Sequence, residues 1–255
     1  MNIIKAIILG ILQGITEFLP ISSSGHLLIA EQLMDLSNDL VFSLILHVAT
    51  LLAVVIYYWE DCKNIIKYPK SNFSKSLFIS FIPTIIIALI VKKFISDYQI
   101  VNYMGFLFIL TGVILLLPKI IKKRSLQGVS LKSGFIVGVV QGVACIPGIS
   151  RSGATITAAR FCGFSKEESV KFSFLQSIPI IIGGILYELF FETKMIISSI
   201  IGFPMFIGFI VAFVVGVCAI KIVSKLALSD KFYIFSIYLF IIGLFTIVNN
   251  YVGII

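Results

Sequence analysis

Two stretches hold most of the residues in this chain that could do chemistry, Gln13–His26 (QGITEFLPISSSGH) and Gln141–Thr155 (QGVACIPGISRSGAT). Gln13 and Glu17 are four residues apart and therefore share one face of a helix. A carboxylate inside a membrane segment costs a few kcal/mol, which makes Glu17 a functional candidate by default. His26 follows Ser22, Ser23, Ser24 and Gly25 at the start of a short helix, where free N–H groups and the positive dipole end collect anions. Arg151 lies in the second stretch, within GISRSG. Its guanidinium stays charged and pairs with phosphate through two parallel hydrogen bonds. Ser150, Ser152 and Thr155 add hydroxyl donors, and Gly148 and Gly153 let backbone approach a ligand. Charge clamp, nucleophile, acid/base and a carboxylate for a divalent cation together make an inventory for phosphoryl transfer.

The roles within that inventory stay open at this level. Either Ser23 attacks with His26 as its base, or His26 attacks directly. Gln13 and Glu17 are the candidate metal-holding pair. His47, within the next apolar run, reads as a packed, hydrogen-bonded histidine rather than a site group.

The two stretches are copies. At an offset of 128, Gly138, Gln141, Gly142, Ile149, Ser150, Ser152 and Gly153 fall on Gly10, Gln13, Gly14, Ile21, Ser22, Ser24 and Gly25. The halves thus derive from one unit whose polar loops meet at one site. A polar, glycine- and serine-rich loop that interrupts an apolar helix at corresponding places in both halves points to a binding site in the membrane.

The elements that must position these loops are helices in lipid. Of 255 residues, 59% are hydrophobic and only 13% charged, with a mean hydropathy of +1.11; soluble domains carry about a quarter charged residues. The apolar runs lack two-residue alternation, which leaves helices rather than a barrel. Ile3–Leu19 is marginal for a crossing and is followed by a short helix over Gly25–Leu33, so the pair reads as a re-entrant hairpin. Crossings follow at Phe42–Tyr58, Leu77–Val91 and Tyr103–Leu117. The second half repeats the plan, with a hairpin from Lys132–Ile146 and Gly153–Cys162 and crossings at Ser169–Phe190, Ile197–Ile220 and Phe232–Val248.

The expected fold is therefore an all-α polytopic membrane protein with an inverted-topology repeat, each half one re-entrant helical hairpin plus three transmembrane helices. Residues 1–118 form the first repeat, 119–131 a basic cytoplasmic loop and 132–255 the second repeat. Small residues every fourth position, Ala6–Gly10–Gly14 and Gly134–Gly138–Gly142, permit close backbone approach in lipid. Packing of the two entering helices on one another would bring their loops together.

The net charge of +8 falls largely in short loops, at Lys63, Lys67, Lys70 and Lys75, at Lys119, Lys122, Lys123, Arg124 and Lys132, and at Lys221, Lys225 and Lys231. That is the positive-inside pattern and does not call for nucleic acid as a partner. The cysteines Cys62, Cys145, Cys162 and Cys218 lack ligand spacing and read as small apolar fillers. Lys5 before an apolar run imitates a signal peptide, but Glu17 interrupts the run and no cleavage site follows, so the segment is expected to stay in the mature protein.

The first stretch resembles the (E/Q)xxxE-plus-SSxGH signature, and GISRSGAT the PGxSRSxxT signature, of the undecaprenyl-diphosphate phosphatases of the bacitracin-resistance type. The resemblance covers both motifs, their order and the helix plan over essentially the whole chain. It implies hydrolysis of the terminal phosphate of a polyprenyl diphosphate, which recycles the carrier lipid of cell-wall synthesis. It also implies a site open to the outer face of the plasma membrane and dependence on a divalent cation, Mg2+ or Ca2+. Gln13, Glu17, Ser23, His26, Ser150, Arg151 and Thr155 are the matched positions; many members carry Glu at the place of Gln13. Substrate and membrane lipid are then the partners, and a homodimer is an open option. The rival class is a polyprenyl-phosphate flippase or transporter, for which an adjacent Ser and His would be superfluous.

Overall fold

A computed structural model gives the fold and describes residues 2–34, 36, 40–95, 100–120, 128–191, 202–229 and 231–252. Eleven helices occur among them. In chain order they are α1 (Ile3–Thr16), α2 (Ser23–Leu33), α3 (Leu40–Tyr57), α4 (Trp59–Lys67), α5 (Asn72–Phe94) and α6 (Met104–Ile120). The second half supplies α7 (Leu131–Val143), α8 (Arg151–Phe161), α9 (Lys166–Phe191), α10 (Phe203–Leu228) and α11 (Ile234–Val252).

Helices α3, α5, α9 and α10 are long and apolar enough to cross a membrane, and α6 and α11 are shorter apolar helices. Ile82, Ile85, Ile86, Leu89 and Ile90 on α5, and Ile237, Ile241, Leu244 and Phe245 on α11, are all exposed. Apolar faces of that extent require lipid as their solvent. The expected crossings fall on α3, α5, α6, α9, α10 and α11, although residues 197–201, the start of the expected crossing at Ile197–Ile220, lie outside the described residues. So do residues 121–127, most of the expected basic loop.

The entering helices α1 and α7 hold 14 and 13 residues, or about 20 Å each at the helical rise, too short for a hydrocarbon core of about 30 Å. Asn2 caps α1 by accepting from Lys5 N–H, and Ser130 and Ser133 close a reciprocal cap on α7. Lys5 Nζ donates to the Met34 carbonyl at 2.6 Å. That bond ties the start of α1 to the end of α2, so the first hairpin leaves at the end of the bundle where it entered.

The sequence leads us to expect the two small-residue faces to pack on one another, and they do not. Gly10 and Gly14 of α1 lie against the backbone of Gly208, Ala212 and Gly216 on α10, and Gly134 and Gly138 of α7 lie against Ser76 and Ser80 on α5. A Cβ on Gly138 would stand 2.2 Å from the Ser80 carbonyl oxygen, so only glycine fits that crossing. Each half's entering helix thus docks on a long helix of the other half, and α6 pairs with α11. The interlock brings the polar loops together through their scaffold rather than through their own helices.

The segment expected as a basic loop after α3 begins as a helix. In α4, Cys62 and Ile65 pack on the core around Phe18, Phe172 and Phe174. Glu60 pairs with Lys63 at 2.7 Å on the solvent side, and Glu60 and Asp61 sit in the first turn and Lys67 in the last, as the helix dipole favours.

Candidate active site

The site forms where α1 ends and where α2 and α8 begin. Glu17 caps the C-terminus of α1, its N–H donating to the Gln13 carbonyl, and it is 6% exposed. Burial of a carboxylate demands a full set of partners, and Glu17 has them. Arg151, reaching across from the second half, ion-pairs with Oε1. Ser23 Oγ donates to Oε2 at 2.6 Å, and Gln13 Nε2 donates to the same oxygen at 3.2 Å. The halves therefore meet at one carboxylate.

Two loops present these groups. Ser22, the residue before α2, has φ of +71°, a left-handed conformation that costs a non-glycine residue about 1–2 kcal/mol. Its hydroxyl makes no cap to the helix; its carbonyl receives the His26 ring instead, through Nδ1 at 2.7 Å. In the second loop Gly148 has φ of +97°, which glycine adopts without strain. Ser150 there caps α8 in the ordinary way, accepting from Gly153 N–H, and its own N–H donates to Thr111 Oγ1 at 3.2 Å. Arg151 is thereby fixed at the first position of α8.

A cavity of about 270 Å³ gathers the polar residues, lined among others by Glu17, Ser22, Ser23, Ser24, Ser150 and Arg151. Ser152 and Thr155 stand behind it. Ser152 Oγ is 3.3 Å from the Leu19 carbonyl and from Ser150 Oγ, and Thr155 Oγ1 bonds the Arg151 carbonyl and Ser173 Oγ. Gly25 packs against Phe108 and Met104.

His26 bonds to other groups than Ser23. Its Nε2 is 2.7 Å from Tyr238 Oη on α11, and its ring lies on Phe108 and Tyr238. A carbonyl oxygen only accepts, so Nδ1 carries the hydrogen to Ser22 and Nε2 accepts from the tyrosine. Both ring nitrogens are engaged.

Three site groups were missed from the sequence. His47, read as packed, does donate Nδ1–H to the Ser43 carbonyl at 2.8 Å, yet it also lines the cavity. Glu188, at the end of α9, lines it as well and lies 3.9 Å from Lys92; an acid in an apolar span is itself a signal. Cys145, read as a filler, lines the cavity beside Arg151.

The donor set for a metal is lean. Among the described residues, no cluster of three His, Cys, Asp or Glu gathers. Gln13 Oε1, however, is buried without a hydrogen-bond partner beside the Glu17 carboxylate. An orphaned amide oxygen and one carboxylate fit a hard cation whose remaining ligands are phosphate oxygens and water, the manner in which Mg2+ is commonly held.

With this geometry in place, the comparisons are decisive. The family model "Bacitracin resistance protein BacA" matches residues 6–245. The chain belongs to this family. Relatives named undecaprenyl-diphosphatase include one from Halothermothrix orenii, 36% identical over 97% of this chain and 98% of its own length. Another from Borreliella burgdorferi is 38% identical over 95% and 96%, and one from Methanococcus vannielii 37% identical over 94% and 98%. The BacA resemblance thus spans both loops and the whole interlocked scaffold.

Proposed function

We propose that this BacA-family protein is a membrane phosphatase that hydrolyses a polyprenyl diphosphate, undecaprenyl diphosphate foremost, to the monophosphate and phosphate. The observation that carries this reading is the buried carboxylate that holds a serine hydroxyl on one oxygen and an arginine on the other. A flippase has no use for an activated hydroxyl in its anion site.

Ser23 is the nucleophile in our reading, and Glu17 rather than His26 takes its proton, since Oε2 already accepts from Ser23. The Ser23 oxygen bonds to the terminal phosphorus, the bond to the bridging oxygen breaks, and the electron pair leaves on the polyprenyl monophosphate. Arg151 swings from Glu17 to the transferring phosphoryl oxygens. Glu17 passes that proton to the departing monophosphate. Water then attacks the phosphoserine phosphorus, and Glu17 takes the water proton and returns it to Ser23 Oγ as the P–O bond breaks and phosphate is released. His26, engaged by Tyr238 and Ser22, holds the loop that carries the nucleophile and acts as a positioning residue. Gln13 Oε1 and Glu17 would hold the divalent cation, which supplies charge neutralisation at the phosphoryl oxygens.

The inverted repeat and an outward-facing site belong to the same reading. Reciprocal docking of α1 on α10 and α7 on α5 supports a twofold relation between halves. The cavity is lined by Glu188, which lies 3.9 Å from Lys92 near the end of α5, opposite the end next to the basic segment Lys63–Lys75. If that segment is cytoplasmic, the cavity opens outward, as hydrolysis of the carrier lipid after cell-wall export requires. In a cysteine-free background, a cysteine replacing Lys70 should resist an impermeant thiol reagent outside intact cells, and one replacing Asp97 should react; the reverse pattern overturns the orientation.

The direct test of function is phosphate release from a prenyl diphosphate by purified protein in detergent. Wild type should turn over, lose activity on chelation and regain it with Mg2+ or Ca2+. Binding without turnover would favour the carrier.

A further inference from the structure

Beside the polar cavity lies a second one of about 490 Å³, walled chiefly by apolar side chains such as Leu27, Leu40, Ile85, Leu89 and Pro179. Ser24, Ser43, His47, Cys145, Ile180, Gly184 and Glu188 line both. A substrate with a charged head and an apolar tail puts its α-phosphate at such a boundary, because that phosphate alone is bonded to both parts. Among the described residues, His47 is the only basic side chain on the shared wall. It is half-buried, and the Ser43 carbonyl fixes its Nδ1 as a donor, which leaves Nε2 for a ligand. In its imidazolium form the ring donates through both nitrogens, and Nε2–H is then the donor that faces a phosphate oxygen.

We infer that His47 is the specificity residue that binds the α-phosphate, the one retained by the lipid product, while Ser23, Glu17 and Arg151 handle the terminal phosphate. This rests on the phosphatase reading given above and assigns a residue that neither loop motif contains. It explains how one site tells a prenyl diphosphate from inorganic phosphate: the head is gripped at two places, and only the lipid-linked phosphate touches the histidine.

The test is equilibrium binding in detergent, which needs no turnover. Calorimetry would compare a short-chain prenyl monophosphate with inorganic phosphate on wild type, His47→Phe and His47→Gln. Loss of a hydrogen bond to a charged group is worth about tenfold or more, so His47→Phe should weaken the prenyl monophosphate at least tenfold and shift inorganic phosphate less than twofold. His47→Gln, which keeps an N–H donor, should stay within threefold of wild type for both ligands. His47→Ala replaces the phenylalanine variant should that one fail to fold. Equal weakening of both ligands, or of neither, overturns the assignment to the α-phosphate. Absence of phosphate release by the wild type would instead overturn the phosphatase reading, whatever the binding shows.

Discussion

The two polar loops share residues at one offset, and the molecule uses them for opposite charges. At the shared offset Arg151 stands where the first half has Ser23, Cys145 where it has Glu17, and Ala154 where it has His26. The retained positions, Ser22/Ser150 and Gly25/Gly153, are those that build a helix start. Of the exchanged positions, Glu17, Ser23, Cys145 and Arg151 line the polar cavity. Both halves thus present a helix start at the site, one carrying the acid and the serine hydroxyl and the other the cation. The backbones differ as well. The second loop takes its left-handed residue as Gly148 and caps α8 with Ser150. The first places Ser22 in a left-handed conformation and releases its hydroxyl from capping. Strain held by a non-glycine residue at such a place is a mark of a functional loop.

That division of labour can be broken in several ways. The largest effect should follow Glu17→Gln, which removes the proton acceptor for Ser23 and the partner of Arg151. Loss of a general base costs about 10²–10⁴-fold, so steady-state kinetics should show kcat falling through that range. A fall of less than tenfold would remove the carboxylate from the mechanism. Next in size is a contrast in stability. Gly148→Ala puts an alanine at φ of +97° with its Cβ 2.8 Å from Leu107 Cβ, and should destabilise by about 2 kcal/mol. Ser22→Gly should instead stabilise by about 1 kcal/mol. Thermal unfolding in detergent reads both, and equal shifts would mean that the loops hold no different strain.

Arg151→Lys keeps the charge and loses the two-pronged geometry. We expect kcat/KM to fall about tenfold, or about 1.4 kcal/mol of transition-state stabilisation; activity within twofold of wild type would reduce Arg151 to a plain neutralising charge. The smallest effect belongs to Cys145→Ser at the position equivalent to Glu17. Activity within twofold is expected, since that position holds no acid and Cys145 donates to the Gln141 carbonyl at 3.5 Å. A large loss there would make the halves more alike than we hold.

Much of this was legible in the chain, because the signals were local. Motif spacing marked Glu17, Ser23 and Arg151, and apolar run length marked the helices. What escaped depends on distant partners. His26 and Tyr238 are 212 residues apart, and nothing near His26 announces that its ring is engaged. His47 reads as a spanning-helix histidine until α9 and the two loops close around it. The glycine faces showed that helices approach closely but not which ones, since a small-residue stripe fits any partner of matching shape. Helix α4 was hidden because its apolar face consists of little more than Cys62 and Ile65.

The central claim is that Ser23 of the first half attacks a phosphate held by Arg151 of the second. It is tested most directly by rapid acid quench of a single turnover with prenyl diphosphate labelled in its terminal phosphate, followed by mapping of the labelled peptide. The account predicts an acid-stable phosphoryl group on Ser23 that forms and decays within the turnover and is absent from Ser23→Ala. An acid-labile label on a histidine peptide, or undiminished turnover by Ser23→Ala, would contradict it.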